Sequence, residues 1–236
     1  MQDSLGDRMK DYYENRWKIS LPMRIPVILR IDGKSFHTLT RNFEKPFDFC
    51  FISAMNTVAK ELCSNIQGAQ FAFVQSDEIS ILLHNYKKLN SAAWFANEIQ
   101  KMVSVSASIA SVCFSFCASS IFGRTVHAFF DSRVFVLPEA EVCNYFLWRQ
   151  RDWERNSIQM LARSLYSHKE LKGKKNSELQ ELCFKRGKNW NDLETFLKRG
   201  RCCINKEGMG WGIDNNIPIF SQSRYYIEKF LAIEEA

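Results

Sequence analysis

From Met102 to Gly123 the chain carries no charged residue, and as a helix that run is long enough to cross a bilayer. Such a run must end up either in lipid or inside protein, and few other features restrict the fold as much. Its serines favour protein. Ser104, Ser108, Ser111, Ser115 and Ser119 recur at helical spacing and make one small-residue face. A helix with that face lies close on a sheet, so we read a buried helix and no membrane span.

The neighbouring segments supply the sheet. Residues 26–31 (PVILRI) are apolar and β-branched and read as a first strand, 69–74 as a second, 79–83 as a third and 133–137, closed by Pro138, as a fourth. Between the first two, Phe51, Ile52, Met55, Val58, Ala59 and Leu62 form a helical stripe over 48–63. Residues 90–122 read as mostly helical. The order is βαββαβ, the split motif of ferredoxin-like α+β folds.

Beyond it, 139–167 read as one long helix, with shorter helices over 177–185 and 192–198. A late strand over 201–205, a turn over 215–218 and a closing helix over 223–231 complete the chain. Without repeats or a linker, residues 1–236 read as a single domain. Its 20–138 portion reads as the sheet-bearing core, and 139–236 as a helical, basic half packed on it.

This topology predicts chemistry. In the split motif the third strand runs antiparallel beside the first, so the end of the first abuts the start of the third. Asp32 ends one, and Asp77 with Glu78 opens the other. Clustered carboxylates repel unless a cation neutralises them. Oxygen donors with few histidines nearby suit Mg²⁺, and a pair of such ions serves nucleotidyl transfer. The same aspartates also read as turn residues capping neighbouring loops. The segment Asp32-Gly33-Lys34-Ser35-Phe36-His37 favours the first reading, because a glycine after a strand lets backbone N–H groups approach phosphates. It is not a P-loop.

Charge is uneven. Between Arg149 and Arg201 there are 14 basic and 7 acidic residues, a local +7 in a chain of net charge +6. A basic region beside a near-neutral body suggests a polyanion such as RNA, although a solvated helical surface reads the same way. The eight cysteines form no CxxC and lie largely in apolar runs, which points to free thiols in a reducing compartment and no structural zinc. The N-terminal stretch, with Asp7 and Arg8 and no apolar core, does not read as a signal peptide.

Residues 30–40 (RIDGKSFHTLT), 42–48 (NFEKPFD), 75–78 (QSDE) and 148–152 (WRQRD) resemble, in order, the motifs of the tRNA(His) guanylyltransferase superfamily; 4–10 (SLGDRMK) resemble its N-terminal segment. The resemblance implies a polymerase-type palm that adds nucleotides to RNA 5′ ends in the 3′-to-5′ direction. It implies that Asp32, the Gly33 carbonyl and Asp77 hold two Mg²⁺, with Glu78 as an acidic neighbour in the catalytic set. It also implies a triphosphate site from the backbone of Asp32, Gly33, Lys34, Ser35, Phe36 and His37 with Ser76 and Lys101, and a nucleoside pocket lined by Lys45 and Asp48. By resemblance the assembly is a homotetramer, a dimer of dimers.

One departure is informative. Guanylyltransferases of animals and yeast carry a HINN-type sequence after the WRQ-D motif, whereas here residues 153–158 read WERNSI, with Glu154 at the histidine position and Asn156 kept. Together with 174–182 (KKNSELQEL) and 189–200 (NWNDLETFLKRG), this form is more similar to the guanylyltransferase-like branch, which repairs 5′-truncated tRNA against a template. The expected function is therefore templated 5′-end repair with ATP or GTP activating the end and NTPs added, ahead of addition of a single G to tRNA(His). Arg30, Arg133, Arg149, Arg155, Asn156 and one of Lys174 or Lys175 are candidates for the activated end or a second nucleotide. Lys198 and Arg199, with Arg186 and Lys188, are candidates for tRNA backbone contacts.

Two other readings remain. A nucleotide cyclase or another palm nucleotidyltransferase would share the carboxylates but leave 148–152 and the KRG segment unexplained. A non-catalytic RNA-binding module of the same element order stacks bases on sheet aromatics, but the first and third strands have none. The expected location is intracellular, cytoplasmic first and mitochondrial second.

Overall fold

Six strands, each apolar on at least one face, assemble into one antiparallel sheet in the computed structural model of the chain, which describes residues 4–88, 90–206 and 208–232. They are β1 (Val27–Gly33), β2 (Ala69–Gln75), β3 (Glu78–Leu83), β4 (Phe130–Val136), β5 (Arg201–Lys206) and β6 (Gly210–Asp214), in the order β4-β1-β3-β2-β5-β6. The first four have the ferredoxin-like arrangement that the element order predicts. The β5–β6 hairpin extends the sheet beyond β2, and β6 has no counterpart in the sequence reading.

Each face of the sheet is covered. Val27, Leu29, Ile31, Ala72, Val74, Ile79, Ile81 and Cys203 pack under α1 (Phe49–Asn65) and α2 (Ile99–Phe122). Ile28, Phe71, Phe73, Leu82 and Cys202 pack under α3 (Glu139–Leu165) with Ile217, Phe220 and Ile227 from the C-terminal segment. α4 (Asn176–Lys185) packs on the far half of α3 through Leu179 and Cys183 against Ile158, Leu161 and Ala162.

The uncharged helix α2 is long and apolar enough to cross a membrane by length and composition, yet here it lies against the sheet. Its serines divide into two groups. Ser119, Ser115 and Ser111 accept hydrogen bonds from the backbone N–H groups of Val126 (2.8 Å), Ala128 (3.0 Å) and Phe130 (3.0 Å), and Ser106 bonds Ser132 (2.8 Å). Ser104 and Ser108 instead bond the carbonyls of their own helix and face outward. The predicted single face is therefore real only over its C-terminal half.

Helix α2 also begins later than composition predicts. Trp94–Asn97 form a short 3₁₀ turn in which Phe95 and Ala96 are left-handed, and helix starts at Ile99. Tertiary bonds override propensity here: Ile99 N–H donates to the Ile19 carbonyl (2.9 Å), and Asn97 Nδ2 donates to that of Pro22 (3.0 Å). The closing helix is likewise shorter than its pattern, Tyr225–Glu228. An arm at residues 4–17, unread at the sequence level beyond its motif, is helical and has no buried residue.

Candidate active site

β1 carries Asp32 as its penultimate residue, and β3 begins at Glu78 immediately after Ser76-Asp77. In register Asp32 lies opposite Glu78 on one side and Asp131 of β4 on the other. The Gly33 N–H donates to the Asp77 carbonyl (3.1 Å), tying the two strand ends together. Four acidic residues are thus gathered by backbone pairing alone. Burial, and then the Asp32 charge, push the Asp77 carboxyl up to about 6. Burial followed by Glu78 and Asp131 raises that of Asp32.

Such carboxylates gain most from a cation held between them. Their oxygens, with the Gly33 carbonyl at the same strand end, form the hard donor set that suits Mg²⁺. Among the described residues no three His, Cys, Asp or Glu side chains form a metal cage by themselves. An ion here would therefore draw its remaining ligands from nucleotide phosphates and water.

Glu78 has a different role from the two aspartates. Both its oxygens are held at 2.7 Å by the Arg149 guanidinium from α3, and Oε1 also accepts from Gln75 (3.2 Å) and Ser80 (3.3 Å). Arg149 in turn reaches Asp152 (2.9 Å), which takes Arg155 (2.6 Å). Glu78 and Arg149 are both buried, so this is a desolvated forked pair. The sequence reading placed Glu78 in the catalytic set and Arg149 among phosphate ligands; in the fold each is the other's partner.

The loop after β1 is shaped by Phe36. A Cβ on Gly33 would lie 2.4 Å from the Phe36 ring, so only glycine lets that ring turn under the loop against Phe114 and Phe130 (centroids 5.1 and 4.9 Å). Phe36 is thus the loop's core anchor. Ser35 (φ 58°) and Ser76 (φ 43°), both left-handed, stand on either side of Asp32 and Asp77.

These segments wall a cleft of about 540 Å³ that includes Asp32, Gly33, Ser35, His37, Lys45, Asp48, Ser76 and Asp77. Lys45 is tied to the Thr40 carbonyl (3.0 Å). Asp48 caps α1, accepting from Phe51 (2.8 Å) and Glu44 (3.0 Å). Lys34 is exposed and outside the cleft. Lys101 is a correction: it pairs with Glu98 (3.5 Å) in the first turn of α2. That turn follows Trp94 and Asn97, which sit beside Val27 at the opposite end of β1 from Asp32.

A second cavity, about 560 Å³, opens on the other side of the aspartates between the sheet and α3. Arg30, Gln75, Trp148, Arg149, Asp152 and Asn156 line it, and it shares Asp32, Ser76, Asp77, Met160 and Arg163 with the first. The two cavities meet at the carboxylate pair. Arg133 lies opposite Arg30 in register but is turned to Asp131 (3.4 Å). Glu154, at the departing position, is half-buried on α3, its carboxyl raised by burial.

Other cations are dispersed. Lys198 bonds the Asn191 carbonyl and Arg199 that of Ile217 (3.4 Å), so both brace the C-terminal segments. Lys174 lines a separate groove, and Lys175 starts α4, its N–H donating to Glu178 (2.8 Å). Gln159, Met160 and Arg163 escaped the sequence reading. A single arginine in a helix has no motif, and only its spacing of one turn from Gln159 and two turns from Asn156 would have signalled a shared face.

Residues 6–138 match the family model described as tRNAHis guanylyltransferase. A bacterial tRNA(His) guanylyltransferase-like protein solved in complex with ATP is 45% identical, with a TM-score of 0.93 over 98% of this chain and 100% of that one. One solved with GTP is 43% identical, with a TM-score of 0.83 over 97% and 99%. The tRNA(His) guanylyltransferase of Debaryomyces hansenii is 29% identical over 199 residues, covering 75% of this chain and 72% of its own. Sequence, sheet order and structural likeness converge: the chain belongs to the tRNA(His) guanylyltransferase family, nucleotidyltransferases built on a palm-like fold.

Proposed function

We propose that the chain is a 3′-to-5′ polymerase that restores missing nucleotides at the 5′ end of tRNA, using the opposite acceptor strand as template. The observation that carries this reading is the pair of cavities meeting at Asp32 and Asp77. One holds the incoming nucleotide and the other the activated RNA end, so both reacting phosphates lie against the same carboxylates. The ATP and GTP bound to the bacterial relatives support the nucleotide assignment.

Activation comes first. A 5′-monophosphate oxygen attacks the α-phosphorus of ATP or GTP, and pyrophosphate leaves. The 3′-hydroxyl of the incoming NTP then attacks the 5′-phosphorus, AMP or GMP leaves, and the hydroxyl proton passes to solvent. Asp32, Asp77 and the Gly33 carbonyl would hold two Mg²⁺, which would supply charge neutralisation for both in-line displacements. The loop from Gly33 to His37 with Ser76 receives the triphosphate, and Lys45 borders the nucleoside. Arg30 and Asn156 face the RNA end, while Glu78 fixes Arg149 and so shapes the wall they stand on.

A second reading, addition of one G to tRNA(His), is favoured by the curated relatives of that name, and Glu154 is the residue that argues against it. One experiment separates them: purified protein with Mg²⁺, ATP and NTPs is given a 5′-monophosphorylated tRNA(His) lacking its extra G and a non-histidine tRNA lacking its first nucleotide. Templated filling of the second that stops at the completed stem is expected. Extension of the first alone would make it a guanylyltransferase, and extension of neither would return the cyclase and RNA-binding readings.

We further infer a homotetramer working in a reducing compartment of the cell, the cytoplasm ahead of the mitochondrion. Exposed apolar side chains on the outer face of α2 and on the arm support assembly. Buried thiols at Cys63, Cys143, Cys183, Cys202 and Cys203 support the compartment.

A further inference from the structure

A groove of about 240 Å³ lies between the end of α3, the 168–174 segment and the first turns of α4. Arg163, His168, Lys172 and Lys174 line it, and no lining residue is acidic. Among the described residues none of these four stands within ion-pair distance of a carboxylate, whereas Arg149, Arg155 and Arg133 all do. The carboxylates nearest in sequence are occupied elsewhere. Glu170 accepts from the N–H (2.8 Å) and hydroxyl (2.7 Å) of Ser167, and Glu178 accepts from the Lys175 N–H. The fold leaves the groove's charge unneutralised and open to solvent.

Arg163 ties this groove to the chemistry. It borders the groove and both central cavities. Among the described residues its one side-chain partner is the Gln159 amide oxygen (3.2 Å), which leaves most of its five donors free. A planar guanidinium at such a junction suits a phosphate oxygen arriving from either side.

We propose that this groove is a phosphodiester seat for the RNA strand, and that Arg163 is the positioning residue linking the seated strand to the nucleotide cleft. The inference rests on the proposed RNA substrate and gives it an address. Backbone phosphates in the groove fix the register of the strand without reading its sequence, as phosphate contacts do in general. Geometry also chooses between the paired lysines: Lys174 lines the seat, and Lys175 does not.

The test measures two affinities separately. Binding of a 3′-labelled, 5′-truncated tRNA transcript is followed by fluorescence anisotropy across a salt series without nucleotide. ATP binding is followed by equilibrium dialysis without RNA. For Lys172→Gln/Lys174→Gln the expected results are an RNA affinity about tenfold weaker, a salt slope shallower by about 1 to 2, and unchanged ATP affinity. Arg163→Gln is expected to weaken RNA binding and raise the KM for the incoming NTP, with Arg163→Lys recovering RNA binding more than KM. Unchanged RNA affinity and salt slope in the double lysine variant, while the unaltered protein binds RNA, overturns the seat and leaves the proposed function standing. Weakened ATP binding with intact RNA binding overturns it as well, by making the groove a triphosphate site. Failure of the unaltered protein to bind RNA at all sinks the functional reading and this inference together.

Discussion

The forked pair between Glu78 and Arg149 decides which carboxylates are available for chemistry. A buried guanidinium that satisfies one carboxylate at both oxygens leaves Asp32 and Asp77, which form no ion pair among the described residues, as the groups on which a cation would act. Removing one partner of such a pair strands the other. Glu78→Gln or Arg149→Met alone should therefore cost about 3–5 kcal/mol in urea denaturation. The Glu78→Gln/Arg149→Met double variant should cost clearly less than the sum, and additive losses would show that the pair is not coupled. The aspartates should respond differently. Asp77→Asn is expected to abolish nucleotidyl transfer while leaving the fold intact, and to remove the rise in melting temperature that Mg²⁺ gives the unaltered protein. Chelation should reproduce that loss of activity. A Mg²⁺-induced shift that survives in Asp77→Asn would take this residue out of the metal assignment.

At the scale of elements, the three serines of α2 connect a core helix to the nucleotide loop. Ser119, Ser115 and Ser111 receive alternate N–H groups of the 126–130 segment, and the Phe129 carbonyl of that segment accepts from Lys34 N–H (2.8 Å). Ser115→Ala leaves the Ala128 N–H buried without its acceptor and should cost about 1–3 kcal/mol. Thermal or urea melts measure that cost, and a raised KM for NTP with little change in kcat would show that the strain reaches the loop. This ladder was half legible, because serines at helical spacing announce a small face but not which N–H groups it meets. The four palm strands were legible from β-branched runs, and the meeting of Asp32 with Glu78 followed from antiparallel register. β6 was not, because its five-residue GWGID run has only two apolar residues, Trp211 and Ile213, each set between residues that disfavour a strand. The early start given to α2 failed because residues 90–98 have helical composition, while Phe95 and Ala96 are left-handed and the adjoining Asn97 and Ile99 are bonded to Leu21, Pro22 and Ile19, far away in sequence. Arg149 was read as a phosphate ligand because nothing local reveals a carboxylate 71 positions away. Lys101 was misplaced because motif order carries no information about which end of the sheet a helix begins from.

Across the whole molecule, apolar surface is left on two sides of the sheet's helical layer. Val112 and Phe116 on α2 are 71% and 76% exposed, and the 4–17 arm presents Leu5, Met9, Tyr13 and Trp17 at four-residue spacing, one stripe of a helical path. Aromatic side chains of this size bury roughly 150–250 Å² each. Covering the arm's Tyr12, Tyr13 and Trp17 with Phe116 therefore approaches the roughly 800 Å² per partner of a standard interface. A lone chain gains nothing from keeping that area in water, whereas a second copy would cover it symmetrically. Sedimentation at micromolar protein should give four times the 27.6 kDa of one chain. Val112→Glu/Phe116→Glu should lower that mass while leaving the melting transition cooperative, since both positions are solvent-facing within one chain. A tetramer that persists in this variant would place the α2 face outside the assembly and leave the arm as the surface that holds the copies together. A single-chain mass for the unaltered protein would remove the tetramer altogether.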